Sequence, residues 1–217
     1  QIVKIKEETN YPFGEEIKFT LELEEAQKFP INLRIPEWAK EAKIILEDGT
    51  EKTNLEAGFI KLERKWSPGE VIKLLLPMDL RTEYRHMGAV AVHRGPLVYS
   101  LKIGEAWKQI GGELPHADWE LYPTTPWNYA LDLFEPEAEV VFKQKEMKEY
   151  PFSPDNTPVE LKIKGQLVKD WKFEDNWVGP IPNNLIKKEN ELVNLTLIPY
   201  GAANLRISEF PVLYENE

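Results

Sequence analysis

Ala89-Val-Ala-Val92 followed by His93 and Arg94-Gly-Pro-Leu-Val-Tyr-Ser-Leu-Lys-Ile103 is the longest apolar run in mid-chain, and one Gly-Pro pair breaks it. Proline withholds a ladder donor and glycine relaxes the backbone, so the pair marks a bulge, a strand start or an edge. The β-branched and aromatic residues on either side favour strand. Upstream the chain reads as one set of strand hairpins. Downstream it reads as loops followed by a second set, which makes this stretch the seam between them.

The upstream set is strongly patterned. Ile2–Ile5 opens as a strand, and Tyr11-Pro-Phe-Gly14 is a turn. Glu15–Leu23 then alternates, with Ile17, Phe19, Leu21 and Leu23 inward and Lys18, Thr20 and Glu22 outward. Period-two patterning of this kind means a strand with one wet face, as in antiparallel sheets. Ile31, Leu33 and Ile35 alternate again after the Phe29-Pro30 turn, and Pro36 suits the first position of a short helical turn. Trp38 reads as a lid over a sandwich end, with a ligand platform as the alternative. Lys43–Glu47 is a strand ended by the turn pair Asp48-Gly49. Gly58–Trp66 and Glu70–Leu76 flank Ser67-Pro-Gly-Glu70, which has type II turn chemistry. About seven strands in the first 80 residues is sandwich spacing, and no stretch sustains a helical period.

Beyond the seam the texture changes. Gly104 to about Leu133 contains Gly111-Gly112, Pro115, Pro123 and Pro126 with little alternation, and reads as a long loop. It carries Trp107, Trp119, Tyr122, Trp127 and Tyr129, including three of the seven tryptophans. Strands resume at Ala138–Phe142, and Tyr150–Pro158 is a proline-punctuated connector. Val159, Leu161 and Ile163 alternate as far as Gly165. Leu192–Ile198 and Leu205–Ile207 read as a closing hairpin.

Composition narrows the function classes. The 217 residues suffice for one large or two modest domains, and a hydrophobic share of 42% is that of a globular protein. Lysine and arginine number 27 against 37 acidic residues, a net charge of −10, the wrong balance for a phosphate-contacting nucleic-acid binder. No window approaches the ~18 consecutive apolar residues of a membrane span. The absence of cysteine excludes thiolate metal sites and a cysteine nucleophile, and leaves open the bacterial cytoplasm, the periplasm or secretion. The start at Gln1 reads as a processed product or a fragment of something longer.

Few residues point to chemistry. Asp118, Glu120, Asp175 and Glu209 read as turn formers, solvated charges or structural ion-pair partners, because paired-carboxyl catalysis needs two groups at a set separation and spacing alone pairs none of these. His86, His93 and His116 lack metal-ligand spacing and read as structural or surface residues. No catalytic residue, metal ligand or cofactor is expected in this chain.

Several segments carry a family resemblance. Arg94-Gly-Pro-Leu-Val-Tyr99, Leu33-Arg-Ile-Pro-Glu-Trp-Ala39, Trp66-Ser-Pro-Gly69 with Leu76-Pro-Met-Asp-Leu80, and Leu197-Ile-Pro-Tyr-Gly201 with Leu205-Arg-Ile-Ser-Glu-Phe-Pro211 resemble segments in the C-terminal half of glycoside hydrolase family 127, the β-L-arabinofuranosidase family. Tyr122-Pro-Thr-Thr-Pro-Trp-Asn-Tyr129 is similar to a loop of one branch of it. The resemblance implies a catalytic machinery of cysteines, zinc and glutamates on an N-terminal helical barrel, and no position here matches that motif.

The expectation is therefore an all-β protein of two antiparallel β-sandwich (jelly-roll-like) lobes in tandem, residues 1–88 and 89–217, the second with a long aromatic loop at 104–133. As the resemblance implies, it would be the non-catalytic region of an arabinofuranosidase-like hydrolase, inactive alone, whose partner is the absent catalytic barrel. The alternative is a free-standing carbohydrate-binding module, and a third reading is a purely structural or oligomerising sandwich. Trp127, Asn128 and Tyr129, with Trp119, are the candidate sugar-contacting residues, since aromatic faces stack on sugar rings and adjacent amides bond hydroxyls. The competing reading is that the loop folds over its own core or pins the sandwich to the barrel.

Overall fold

The structure, a computed structural model, describes residues 2–133, 139–142, 147–175, 177–182, 185–189 and 191–214. Among the described residues the regular structure is β, apart from single 3-10 turns at His86–Gly88 and Tyr200–Ala202. No helix among them is long and apolar enough to cross a membrane. Two compact units form: Gln1–Asp79 with Arg94–Pro96, and Leu80–His93 with Leu97–Glu217.

The first unit contains β1 (Lys4–Thr9), β2 (Glu16–Glu22), β3 (Gln27–Ile35), β4 (Lys43–Leu46), β5 (Glu51–Lys52), β6 (Gly58–Trp66) and β7 (Val71–Leu75). One antiparallel sheet runs β1-β2-β7-β4-β5, and β3 pairs antiparallel with β6 in a second ladder. Alternation decides which faces meet. In β3, Lys28, Pro30, Asn32 and Arg34 are exposed while Leu33 and Ile35 are buried. Leu33, Ile35, Leu62 and Trp66 from one ladder join Leu21, Ile44, Leu46, Ile72 and Leu74 from the other in a single core, so the unit is a sandwich. Each such side chain contributes ~1.5–3 kcal/mol on burial. Trp38 packs against this core, as a lid does. The β6–β7 turn has Gly69 at φ +80, with the Glu70 N–H donating to Ser67 O at 3.2 Å, the type II geometry its sequence specifies.

The second unit contains β8 (Leu80–Tyr84), β9 (Val90–Arg94), β10 (Leu97–Leu101), β11 (Glu105–Gly111), β12 (Asp118–Pro123), β13 (Tyr129–Leu131), β14 (Glu139–Phe142), β15 (Val159–Leu167), β16 (Phe173–Glu174), β17 (Trp177–Val178), β18 (Leu185–Lys187), β19 (Val193–Pro199) and β20 (Val212–Tyr214). Contacts assign Arg94, the last residue of β9, to the first unit. The large sheet runs β18-β20-β13-β15-β19-β10-β9-β8, with β14 also on β15. All five residues of β9 are buried, so both its faces are covered. That explains why this segment reads as a continuous apolar run rather than an alternation.

Three expectations need correction. The stretch 104–133 is not one long loop, because β11 and β12 form an antiparallel hairpin within it and β13 joins the large sheet. Its residues are mostly exposed on both faces, so no period-two pattern advertises it. Leu205–Ile207 forms no hairpin with the strand before it. Both edges of β19 are already taken by β10 and β15, and the Ile207 carbonyl instead accepts from the Leu101 N–H at 2.8 Å. Pairing is also not antiparallel throughout, since β20 runs parallel to β13 and β18. Ala138 lies outside the described residues.

Candidate functional site

The β11–β12 hairpin has two dissimilar faces. Trp107 pairs with Leu121 and Gln109 with Trp119, so the two tryptophans share a face, diagonal to one another. Their rings meet edge-on at 6.0 Å and 77°, and they remain 52% and 41% exposed. Trp107 Nε1 donates to Glu105 Oε2 at 3.2 Å, and Asn204 Nδ2 reaches the same oxygen at 3.0 Å. On the other face the Tyr122 hydroxyl donates to Glu120 Oε2 at 2.6 Å, with Lys108 Nζ 3.5 Å away. The tyrosine's bond, reinforced by Lys108, holds the Glu120 carboxyl below its ordinary range. Glu105 and Glu120 are thus engaged locally.

Trp127, Asn128 and Tyr129 do a different job from Trp119. Trp127 is only 7% exposed, and its ring lies 5.2 Å from that of Trp171 and 4.8 Å from that of Phe173. Asn128 Nδ2 donates to the carbonyls of Val168 (2.8 Å) and Trp171 (3.0 Å), while its own carbonyl accepts from the Val168 N–H at 2.8 Å. Trp171 Nε1 donates to Gly179 O at 3.0 Å. Tyr129 opens β13 opposite Leu167, and burial pushes its phenol pKa up. Trp127 and Asn128 thus tie Val168, Trp171 and Phe173 to the start of β13. Trp119 stands elsewhere, paired with Trp107.

Arg94, which opens the most recognisable motif, is likewise committed. It is buried, with Nη1 donating to Phe13 O at 3.1 Å and Nη2 to Glu15 Oε1 at 2.6 Å. Gly95 follows at φ +53, where an added Cβ would lie 2.6 Å from Met78 Sδ. The motif therefore encodes an anchored turn.

Residues 1–78 match the family described as beta-L-arabinofuranosidase, GH127 middle domain. They are a GH127-family domain. A GH127 beta-L-arabinofuranosidase from Geobacillus stearothermophilus T6 is similar over 99% of this chain at 26% identity and TM-score 0.61, across 31% of its own length. A structure described as a glycoside hydrolase (22% identity, TM-score 0.63, 98% of this chain and 32% of its own) shares the fold. So does a GH127 beta-arabinofuranosidase at 18% identity and TM-score 0.59, over 97% of this chain and 32% of its own. The chain spans about a third of the length of these structures. No curated protein matches it.

C-terminal to the GH127 middle domain, the second unit holds a cleft that the sequence did not reveal. It measures ≈ 330 Å³ and is lined by Glu83, Arg85, His93, Tyr200, Ser208 and Glu209. Arg85 donates from Nη1 to Glu83 Oε1 at 2.6 Å and from Nε to Glu209 Oε1 at 3.1 Å. His93 is 9% exposed, and its Nε2 lies 3.3 Å from Glu83 Oε2 without hydrogen-bond alignment. Burial is the main cause that pushes the His93 pKa down, with Arg81 and Arg85 adding to it and Glu83 opposing. His86 and His116 are exposed and lie outside this cleft. Tyr200, Ser208 and Glu209 belong to the motif quoted at 197–211, which is the sequence signal that pointed here.

Proposed function

We propose that this chain is the non-catalytic β-sandwich region of an arabinofuranosidase-like glycoside hydrolase, buttressing a catalytic barrel carried on other polypeptide and shaping access to it. The observation that carries the reading is the GH127 middle-domain match over residues 1–78 within a chain that aligns to about a third of known GH127 structures.

Four surface carboxyls are poorly suited to act as a glycosidase acid. A glycosidase acid must stay protonated near neutrality, which requires a raised carboxyl pKa. The carboxyls of Glu8, Asp48, Glu63 and Glu120 are all shifted the other way, by hydrogen bonds from Lys18, Thr50, Lys61 and Tyr122 respectively. Glu83 and Glu209 are both ion-paired to Arg85. The test is an assay of the purified chain on an aryl β-L-arabinofuranoside. No turnover is expected, and turnover by the chain alone would overturn the reading.

A second reading, a carbohydrate-binding module, is favoured by the exposed Trp107–Trp119 pair. Retention on an immobilised arabinan that Trp119→Ala abolishes would support it, and equal retention of both proteins would remove it.

A further inference from the structure

We infer that the cleft between β8, β9, β10 and the Tyr200–Glu209 segment is a binding site for a neutral polyhydroxylated ligand, a saccharide unit, distinct from the aromatic hairpin. The inference stands independently of whether the chain buttresses a barrel.

The volume, ≈ 330 Å³, lies at the lower end of small-molecule sites. Charge decides the ligand class. The lining carries two carboxylates against one guanidinium, and with Arg81 acting on His93 the charges balance, so no excess of positive charge recruits phosphate or carboxylate ligands. A cation would have to compete with Arg85, which already bridges Glu83 and Glu209. Hydroxyl groups face neither obstacle, because each can donate to a carboxylate oxygen and accept from a guanidinium N–H. A guanidinium has five donors, and the two bonds to Glu83 and Glu209 engage two of them.

Two further features suit a sugar. Nε2 of His93 is buried and makes no aligned hydrogen bond, so it is a polar atom that a ligand hydroxyl can satisfy by donating or accepting. Tyr200 is 44% exposed, and the Arg206 guanidinium lies 4.7 Å from its ring centroid. Arg206 Nε also donates to the carbonyls of Tyr200 (3.3 Å) and Ala203 (2.8 Å), which fixes the arginine beneath the ring. A held aromatic edge beside paired charged hydrogen-bonding groups is how a site grips the apolar face and the hydroxyls of one sugar together. Ala91 and Val98 supply the apolar wall.

The test uses the full 217-residue chain. Imidazole resonances of His93 are followed by NMR during titration with L-arabinose, D-glucose, glycerol and inorganic phosphate, each separately. A saturable His93 shift with at least one monosaccharide is expected, weakened ~10-fold or more by Arg85→Ala and by Tyr200→Ala, in line with one or two lost polar or stacking contacts. Trp119→Ala should leave the titration unchanged, which separates this site from the hairpin. Both cleft variants alter exposed side chains, and unchanged amide spectra away from the cleft verify their folding. A shift with phosphate alone, no shift with any monosaccharide, or a monosaccharide shift that survives both cleft variants would overturn the inference.

Discussion

Arg94 Nη2 sits 2.6 Å from Glu15 Oε1, joining the residue that ends β9 to the residue that precedes β2. The guanidinium is almost fully buried, whereas the carboxylate is about half exposed. Glu15 Oε1 also accepts from the Met78 N–H at 3.2 Å, so one oxygen holds both Arg94 and Met78 within the first unit.

Arg94→Ala is therefore expected to destabilise the first unit. Removing one member of a buried pair costs ~3–5 kcal/mol where the survivor stays buried, but water can reach Glu15. The expected loss is ~2–3 kcal/mol, mostly from the emptied space and the lost bond to the Phe13 carbonyl. Urea denaturation of the two proteins measures it. Arg94→Lys should recover only part, since an ammonium cannot span both acceptors as a planar fork does. A variant within ~0.5 kcal/mol of the parent would mean the anchor is not needed.

What the sequence disclosed follows from solvent. β2, β3, β6 and β7 each turn one face to water and one to the core, and they were readable as alternation. β9 is covered on both sides and was readable as a solid apolar run. The β11–β12 ribbon has neither kind of face, so it passed for loop. β20 is three residues long and pairs parallel, beyond the reach of local patterning. The candidate site was half legible. Trp119 and Trp127 were both visible as aromatic residues, but their opposite burial was not. The cleft joins Arg85 to Glu209 across 124 positions, a juxtaposition only the fold supplies.

Gly165 tests the centre of the second unit. A Cβ there would lie 2.7 Å from Ala130 O and would also meet the Leu195 side chain. Gly165 sits in β15, paired with Leu131 of β13 on one edge and with Val193 of β19 on the other. The obstructing carbonyl belongs to a neighbouring strand and cannot rotate away. Gly165→Ala is expected to cost ~1–3 kcal/mol as an overpacking change. Hydrogen exchange should show faster opening of β13, β15 and β19, with β2 and β7 unaffected; equal protection throughout would contradict this.

His93 gives a pH dependence of known sign. Its folded pKa lies below its ordinary value, chiefly through burial. The unfolded chain titrates near ~6.5, and above that pH neither state carries the proton. As pH falls through that value the unfolded state binds a proton that the folded state resists, so stability decreases until the folded pKa is passed. Glu83, Glu209, Arg81 and Arg85 are the charged groups around it. His93→Gln should therefore flatten the stability profile just below ~6.5 relative to the parent. Parallel profiles for the two proteins would show that the imidazole is not the titrating group.

Trp127 and Trp119 should separate stability from surface recognition. Trp127 is enclosed by Trp171 and Phe173, and Asn128 beside it holds two carbonyls of the same segment. Truncating a buried aromatic of this size costs ~3–5 kcal/mol, because the transfer term and the cavity act together. Trp119 has one edge contact with Trp107 and an open remainder. Its removal should cost ~0.5–1.5 kcal/mol, the worth of such a pair. Chemical denaturation of Trp127→Ala and Trp119→Ala alongside the parent measures both losses. If Trp127→Ala were as stable as Trp119→Ala, Val168, Trp171 and Phe173 would have to be held by something other than the Trp127–Asn128 pair.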